Sequence, residues 1–339
     1  MATPQPNGQP NPEHIFEALN AYQQTFCLKG AIELEVFTHI ADGASSAEEI
    51  AKRAGADARA MRILCDYLTI RGFLTKENGS YGLSNDAALF LNKRSPAYIG
   101  TISRFLDMDA HIGHFHDIAA VVRKGGTVHG HGNMEPNNPA WVEFAHSMVP
   151  IVMPAAQALP SLVPGASAAK KVLDVAAGHG MFGICMARAH KSVQIVAVDW
   201  ENVLQVAGEN AAKAGVADRV KLVPGSAFDV DFGKDFDIVL MPNFLHHFDV
   251  PTNVGLLKKV HAAMKPGGTL ATLEFVPNDD RITPPMSAAF SMMMLASTER
   301  GDAYTFRELD GMFRQAGFGE STIQAVPNSP MHLIVTGRP

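Results

Sequence analysis

After Lys171 the chain repeats one rhythm: short β-branched runs, Val172 to Val175, Val193 to Asp199, Val220 to Pro224, Phe236 to Met241 and Gly268 to Phe275, separated by helical segments. Strands that alternate with helices pair through right-handed crossovers, which gives a parallel sheet covered on both faces. The expected fold class is α/β with a doubly wound sheet. Ser321 to Val326 and Met331 to Thr336, joined by a turn containing Pro327 and Asn328, are expected to add an antiparallel hairpin at one edge.

The first run ends in Asp174-Val175-Ala176-Ala177-Gly178-His179-Gly180 and enters a helix at Met181-Phe182-Gly183. Small residues at Ala176, Gly178 and Gly180 let a ligand approach the backbone at a strand end, where sheets of this kind bind. The second run ends 19 residues after Gly180 at Asp199, followed by Trp200, and that acid is placed to accept both hydroxyls of a ribose. Loop and acid together point to a nucleoside. Asp174 stands two residues before the loop, and a carboxylate there repels phosphate and favours a cation. S-adenosylmethionine, with a sulfonium and an ammonium, meets that preference better than a dinucleotide. After the third run, Gly225-Ser226-Ala227-Phe228 offers a polar group and an apolar platform for adenine, and the fourth run leads into Asn243-Phe244-Leu245-His246-His247-Phe248.

The half before Lys171 is read as helical. Ile15, Leu19, Tyr22 and Phe26 recur at helical steps, Ser46-Ala47-Glu48-Glu49 is a capping box, and Asp57 caps a helix with Met61, Leu64, Cys65 and Leu68 on its apolar face. Phe73 to Lys76 and Tyr81 to Leu83 flank Asn78-Gly79, the dipeptide suited to a two-residue hairpin turn. Helix, turn, helix and hairpin make a winged helix. Up to residue 95 it carries 9 Lys/Arg against 11 Asp/Glu, and the whole chain has 28 against 34, a net of −6. Binding to DNA needs a basic face that displaces counterions, so packing against a second copy of the chain is the better reading. The expected division is a disordered tail over 1–13, a winged-helix dimerisation domain over 14–96, a helical connector that helps form the acceptor pocket over 97–165, with a Gly/His/Asn-rich loop at 125–133, and the cofactor-binding domain over 166–339. Cys27, Cys65 and Cys185 form neither a disulfide framework nor a zinc pattern, and no run reaches the roughly 20 apolar residues of a membrane span. A cytoplasmic protein is expected.

On these motifs the chain resembles the class I S-adenosylmethionine-dependent O-methyltransferases of the plant caffeate, acetylserotonin and bacterial polyketide-tailoring type, which pair a winged-helix dimerisation domain with a seven-stranded Rossmann-like domain. The family's glycine loop, D-V-G-G-G-x-G, falls on Asp174 to Gly180 with alanines at 176 and 177. Its ribose acid falls on Asp199, and its adenine motif, often G-D-M-F, on Gly225 to Phe228 with Ser226 in place of an acid. The resemblance implies a homodimer, S-adenosyl-L-methionine as methyl donor and no metal. It also implies a cofactor site of Asp174, Ala176, Gly178, Gly180, Asp199, Trp200, Ser226, Ala227, Phe228 and Asn243.

The family's catalytic histidine matches His246, with His247 where an acid usually follows, and Glu274, 28 residues on, matches the carboxylate that orients it. A phenol has a pKa near 10, so a base must take its proton before the oxygen attacks a methyl group. A second family acid falls at Ala303, beside Asp302. Met148 and Met294 match positions that sandwich a flat acceptor, with His247 beside them. His111, His114 and His116 cannot all share one face of a helix, which argues against a metal site. The expected activity is therefore O-methylation of a small aromatic or enolic hydroxyl. Competing readings are the same scaffold turned to hydroxylation, decarboxylation or pericyclic chemistry, and an S-adenosylmethionine-responsive DNA-binding regulator.

Overall fold

The computed structural model describes residues 10–130 and 137–339. Residues 1–9 of the expected tail and 131–133 of the Gly/His/Asn-rich loop lie outside them. The chain divides into two compact units between Ser103 and Arg104. From Arg104 onward, the helices expected to form a connector therefore belong to the same unit as the sheet.

The first unit runs α1 (Glu13–Leu19), α2 (Ala21–Glu33), α3 (Val36–Ala41), α4 (Ala47–Ala54), α5 (Ala58–Ile70), β1 (Leu74–Glu77), β2 (Ser80–Leu83) and α6 (Asn85–Phe90). Local chemistry fixes these boundaries. The Ser46 hydroxyl accepts from the Glu49 amide while the Glu49 carboxylate accepts from Ser46, which satisfies orphan donors at both positions of the α4 start. Asp57 caps α5 by accepting from Ala60. Asn78 and Gly79 both take positive φ, and the turn pairs Glu77 with Ser80. Phe37, Ile50, Met61 and Leu68 fill the core of this unit. The apolar face predicted along the first helix is interrupted at Asn20, and it does not join that core: Phe16 is 60% and Leu19 is 69% exposed.

The second unit opens with α7 (Ser103–Leu106), which crosses the division, then α8 (Asp109–Gly113), α9 (Ile118–Lys124), α10 (Pro139–Ser147) and α11 (Val149–Leu162). The alternating part follows: β3 (Lys171–Val175), α12 (Met181–Ala189), β4 (Gln194–Asp199), α13 (Glu201–Lys213), β5 (Val220–Pro224), β6 (Phe236–Leu240), α14 (Val250–Ala263), β7 (Met264–Glu274), α15 (Pro285–Ser297), α16 (Phe306–Gln315), β8 (Ser321–Ala325) and β9 (His332–Gly337). The strands form one seven-stranded sheet in the order β5-β4-β3-β6-β7-β9-β8, parallel except where β9 pairs antiparallel with β7 and β8. Val172, Ala271, Leu333 and Val335 enter the core on one face, and Leu173, Val239, Leu270 and Ile334 enter the core on the other. Such two-sided burial explains why the inner strands read as apolar runs rather than alternating ones.

The last parallel strand begins at Met264 rather than at the expected Gly268. Met264 already pairs with Phe236, and the ladder resumes at Ile238 and Thr269 after a register shift. Pro266-Gly267-Gly268 reads as a break in sequence, but the irregularity absorbs it. Strand order reverses at β3 and β6, and their carboxyl ends open the crevice in which doubly wound sheets bind ligands.

Candidate active site

Three strand ends are tied together at that crevice. Asp199, at the end of β4, accepts the Gly178 amide at 2.7 Å through one carboxylate oxygen and the Trp200 amide at 2.7 Å through the other. Each oxygen keeps a lone pair for a ligand hydroxyl. The Asp199 carbonyl accepts from Gly225, which anchors the turn after β5 to the same point. Ala176, Gly178 and Gly180 all take positive φ. For Ala176 that conformation is strained, and strain held at a strand end is a mark of a binding loop.

Burial raises the Asp199 carboxyl to about 6 against the two amides that favour its charge. Asp174 lies deeper and is wholly buried. One oxygen accepts the Gly183 amide at 3.0 Å and so ties β3 to α12, while the other is sealed without a partner. Burial, reinforced by the nearby Asp199, pushes its carboxyl up to about 7. Asn243, just beyond β6, also takes a positive φ and has a buried side-chain oxygen without a hydrogen-bond partner. Asp199 and Asn243 thus offer acceptor oxygens at the crevice, which suits a ligand carrying hydroxyls, while Asp174 is sealed beneath the loop rather than set beside a ligand as expected. Ser226 accepts from the Phe228 amide within its own turn; Ala227 is buried and Phe228 is partly exposed.

His246 and Glu274 meet as the sequence pattern implies. The Nδ1 atom of His246 lies 2.5 Å from one Glu274 oxygen, and both side chains are almost wholly buried. The other Glu274 oxygen accepts the amides of Phe244 at 3.2 Å and Leu245 at 2.9 Å. With that oxygen occupied by donors, the imidazole completes the set by donating from Nδ1, which leaves the Nε2 lone pair free to take a proton. His247 is buried beside it with ring centres 4.4 Å apart. Burial, and then the neighbouring His246, holds His247 well below the ordinary imidazole range, so it is neutral.

A chain of rings that sequence reasoning missed connects these parts. His179 of the glycine loop stacks on Phe144 with ring centres 6.3 Å apart; Phe144 meets Trp141, Trp141 meets His247, and His246 meets Phe290 at 4.9 Å. The Nδ1 atom of His179 accepts the Met181 amide at 3.1 Å, and burial alone pushes this imidazole down to about 4, which keeps it an acceptor. Trp141 and Phe144 lie on α10 at the i, i+3 spacing that puts two rings on one helix face, the only signal for them in the sequence. Trp141 and Trp200 both pack against the buried cluster of Ala145, Val203 and Val206.

Met148 is half-buried at the joint of α10 and α11, and Met294 is buried one turn along α15 from Phe290. No carboxylate replaces the second acid: Ala303 is fully buried, and Asp302 pairs at 3.2 Å with Arg281, which also holds Glu308. Of the three clustered histidines, only His111 lies on α8. Among the described residues, no group of three or more His, Cys, Asp or Glu has a metal-holding arrangement, and no helix is long and apolar enough to cross a membrane.

Comparison with known proteins agrees with both units. Residues 16–93 match the O-methyltransferase dimerisation domain, and residues 172–268 match a methyltransferase domain. The chain is 30% identical over 302 residues to the 3-hydroxy-5-methyl-1-naphthoate 3-O-methyltransferase of Streptomyces sahachiroi, covering 88% of this chain and 86% of that one. A crystal structure from Nostoc punctiforme, assigned as an O-methyltransferase, superposes with a TM-score of 0.95 at 44% identity, over 97% of this chain and 100% of that one. Human N-acetylserotonin methyltransferase in complex with SAM shares the fold, with a TM-score of 0.83 at 17% identity over 98% and 99% of the two chains.

Proposed function

The chain belongs to the S-adenosylmethionine-dependent O-methyltransferases, and on that footing we propose that His246 is the general base that deprotonates the hydroxyl of a small aromatic or enolic acceptor. The observation that carries the reading is the buried contact between His246 and Glu274 at 2.5 Å, with the second Glu274 oxygen already satisfied by two amides. Glu274 fixes the tautomer, so Nε2 is the atom that receives the proton, and its charge balances the imidazolium that forms. Burial of both groups limits competition from bulk water for Nε2, which favours the acceptor hydroxyl as the source of the proton.

The residues at the crevice fit S-adenosylmethionine. Asp199 would accept the ribose hydroxyls, the backbone from Ala176 to Gly180 would admit the ligand closely, and the unpartnered Asn243 oxygen would face a group with hydrogens to offer. The Gly225 to Phe228 turn would flank the adenine, with Trp200 beside Asp199. Bound there, the cofactor supplies an electrophilic methyl group on a sulfonium. Asp174 supports the site from beneath through Gly183.

An aromatic acceptor agrees with the ring-rich surroundings of His246, namely His247, Trp141 and Phe290, and with the hydroxynaphthoate named for the Streptomyces relative. Met148 and Met294 are assigned to the acceptor pocket with His247. The exposed apolar face of α1 and α2, within the dimerisation-domain match, is assigned to a homodimer interface. Three free cysteines accord with a reducing, cytoplasmic setting.

The test is transfer of labelled methyl from S-adenosylmethionine to a panel of phenols and hydroxynaphthoates, with His246→Ala in parallel. Wild-type protein that methylated none of them would remove the assignment of acceptor class, and a variant as fast as wild type would remove the base.

A further inference from the structure

We infer that Asn253, Gly301 and Tyr304 are positioning residues for His246, aiming its imidazole by gripping the main chain on either side of it; the inference rests on the reading of His246 as the base. His246 sits in a single 3-10 turn, Leu245–His247, and so short a piece with poor internal hydrogen-bond geometry cannot fix a side chain by itself. Its outward-facing backbone groups are instead held by three separate elements.

Glu274 on β7 takes the amides of Phe244 and Leu245. On α14, the Asn253 amide group donates to the Leu245 carbonyl at 2.8 Å and to the Phe248 carbonyl at 3.2 Å, one on each side of the histidine pair. The segment after α15 supplies the rest: the Asp302 amide donates to the His246 carbonyl at 3.0 Å, and the Tyr304 hydroxyl donates to the Phe248 carbonyl at 2.5 Å.

Asn253 is a poor choice for stability alone. It is fully buried, and its own side-chain oxygen has no hydrogen-bond partner, so the protein bears the desolvation of that oxygen to keep the two donations. Gly301 is constrained from the other side. A Cβ there would collide with the His246 carbonyl oxygen and stand 2.6 Å from the Thr298 hydroxyl, so only glycine lets the segment lie against the turn. The segment is itself anchored: Thr298 accepts the Gly301 amide and donates to the Met294 carbonyl, and Arg281 holds Asp302 from outside. Where the resemblance places a second acid, Ala303 has no polar side chain to offer. Orientation comes through the main chain instead.

The experiment uses the full-length protein with Tyr304→Phe, Asn253→Asp and Gly301→Ala, and with His246→Ala as reference. Tyr304→Phe keeps the ring and removes only the donor, so it serves if Gly301→Ala does not fold. Two readouts are taken. The first is steady-state kinetics across pH on the phenol and hydroxynaphthoate panel, with S-adenosylhomocysteine affinity measured by calorimetry. The second is the downfield proton resonance of the short Nδ1 to Glu274 hydrogen bond, assigned by its loss in His246→Ala.

Tyr304→Phe is expected to lower kcat about tenfold and Gly301→Ala about a hundredfold, as expected for a displacement approaching an ångström. KM and S-adenosylhomocysteine affinity should change less than twofold, while the pH profile and the resonance shift in all three variants. A purely structural role would lower the folded fraction and leave the pH profile and resonance of the remainder at their wild-type positions. That result in Tyr304→Phe and Asn253→Asp overturns the inference. If His246→Ala matched wild type in rate, the base reading would fall, and positioning of the ring would then be judged by the resonance alone.

Discussion

The substitution Glu274→Gln tests the chemistry at its narrowest point. In the native protein one carboxylate oxygen receives the Phe244 and Leu245 amides and the other faces Nδ1 of His246 at 2.5 Å. The carbonyl of the substituted side chain must stay with the two amides, because turning its NH2 group toward them would oppose donor to donor. The NH2 group then faces Nδ1, and the imidazole answers by moving its proton to Nε2, which closes the atom that should act as base. In the productive tautomer the variant lacks the native charge-assisted hydrogen bond, worth about 1.5–3 kcal/mol, and leaves a buried donor unsatisfied at about 1–3 kcal/mol. The total of roughly 3–6 kcal/mol corresponds to a fall in kcat of about 10²–10⁴. The assay is methyl transfer to two acceptors of similar shape, an ordinary phenol and a nitrophenol already ionised at the assay pH. The ordinary phenol should suffer the full loss and the ionised one no more than about tenfold, on the scale of a single neutral hydrogen bond. Equal losses for both acceptors would refute the tautomer argument, and so would a loss below tenfold for the ordinary phenol.

Three further outcomes are expected. Asp174 and Asp199 have raised carboxyls, at about 7 and about 6, so the folded state keeps protons that the unfolded chain releases near pH 4; stability of the unliganded protein should therefore fall as pH rises from about 4 to about 7. Asp174→Asn, which can keep the Gly183 bond, should raise Tm at pH 8 by several degrees and flatten that decline, checked by thermal melts across pH. Gly180→Ala should cost about 1–3 kcal/mol in urea unfolding, because φ is +73° there and the new Cβ would stand 3.0 Å from that of Ala207. Phe16→Glu combined with Leu19→Glu should convert the proposed dimer to monomer in sedimentation velocity with the helical circular-dichroism signal retained, since both side chains are exposed within the chain.

What the sequence makes legible follows from how local each interaction is. Ser46 with Glu49, Asp57 before α5, Asn78-Gly79 and Thr305 with Glu308 act over two or three residues, and each sets the boundary or turn its pattern implies. The β3 loop and Asp199 are legible for a related reason: a parallel sheet puts consecutive strand ends side by side, so a spacing in sequence becomes the Gly178 to Asp199 contact in space. His246 and Glu274, which the family resemblance implies, meet by the same adjacency across β6 and β7. Asn253 and Tyr304 have no such rule behind them. Their importance comes from carbonyl groups, which every residue has and no motif encodes, so the grip on Phe248 appears only when the backbone is in place. The same holds for Arg281, 21 residues from Asp302, whose ion pair occupies the acid nearest the second-acid position. Departures from a family motif are therefore best judged by what holds the main chain at that point. At His246 the side-chain partner is retained in Glu274, and what Ala303 cannot supply as a carboxylate is answered by three donors to the adjoining carbonyls.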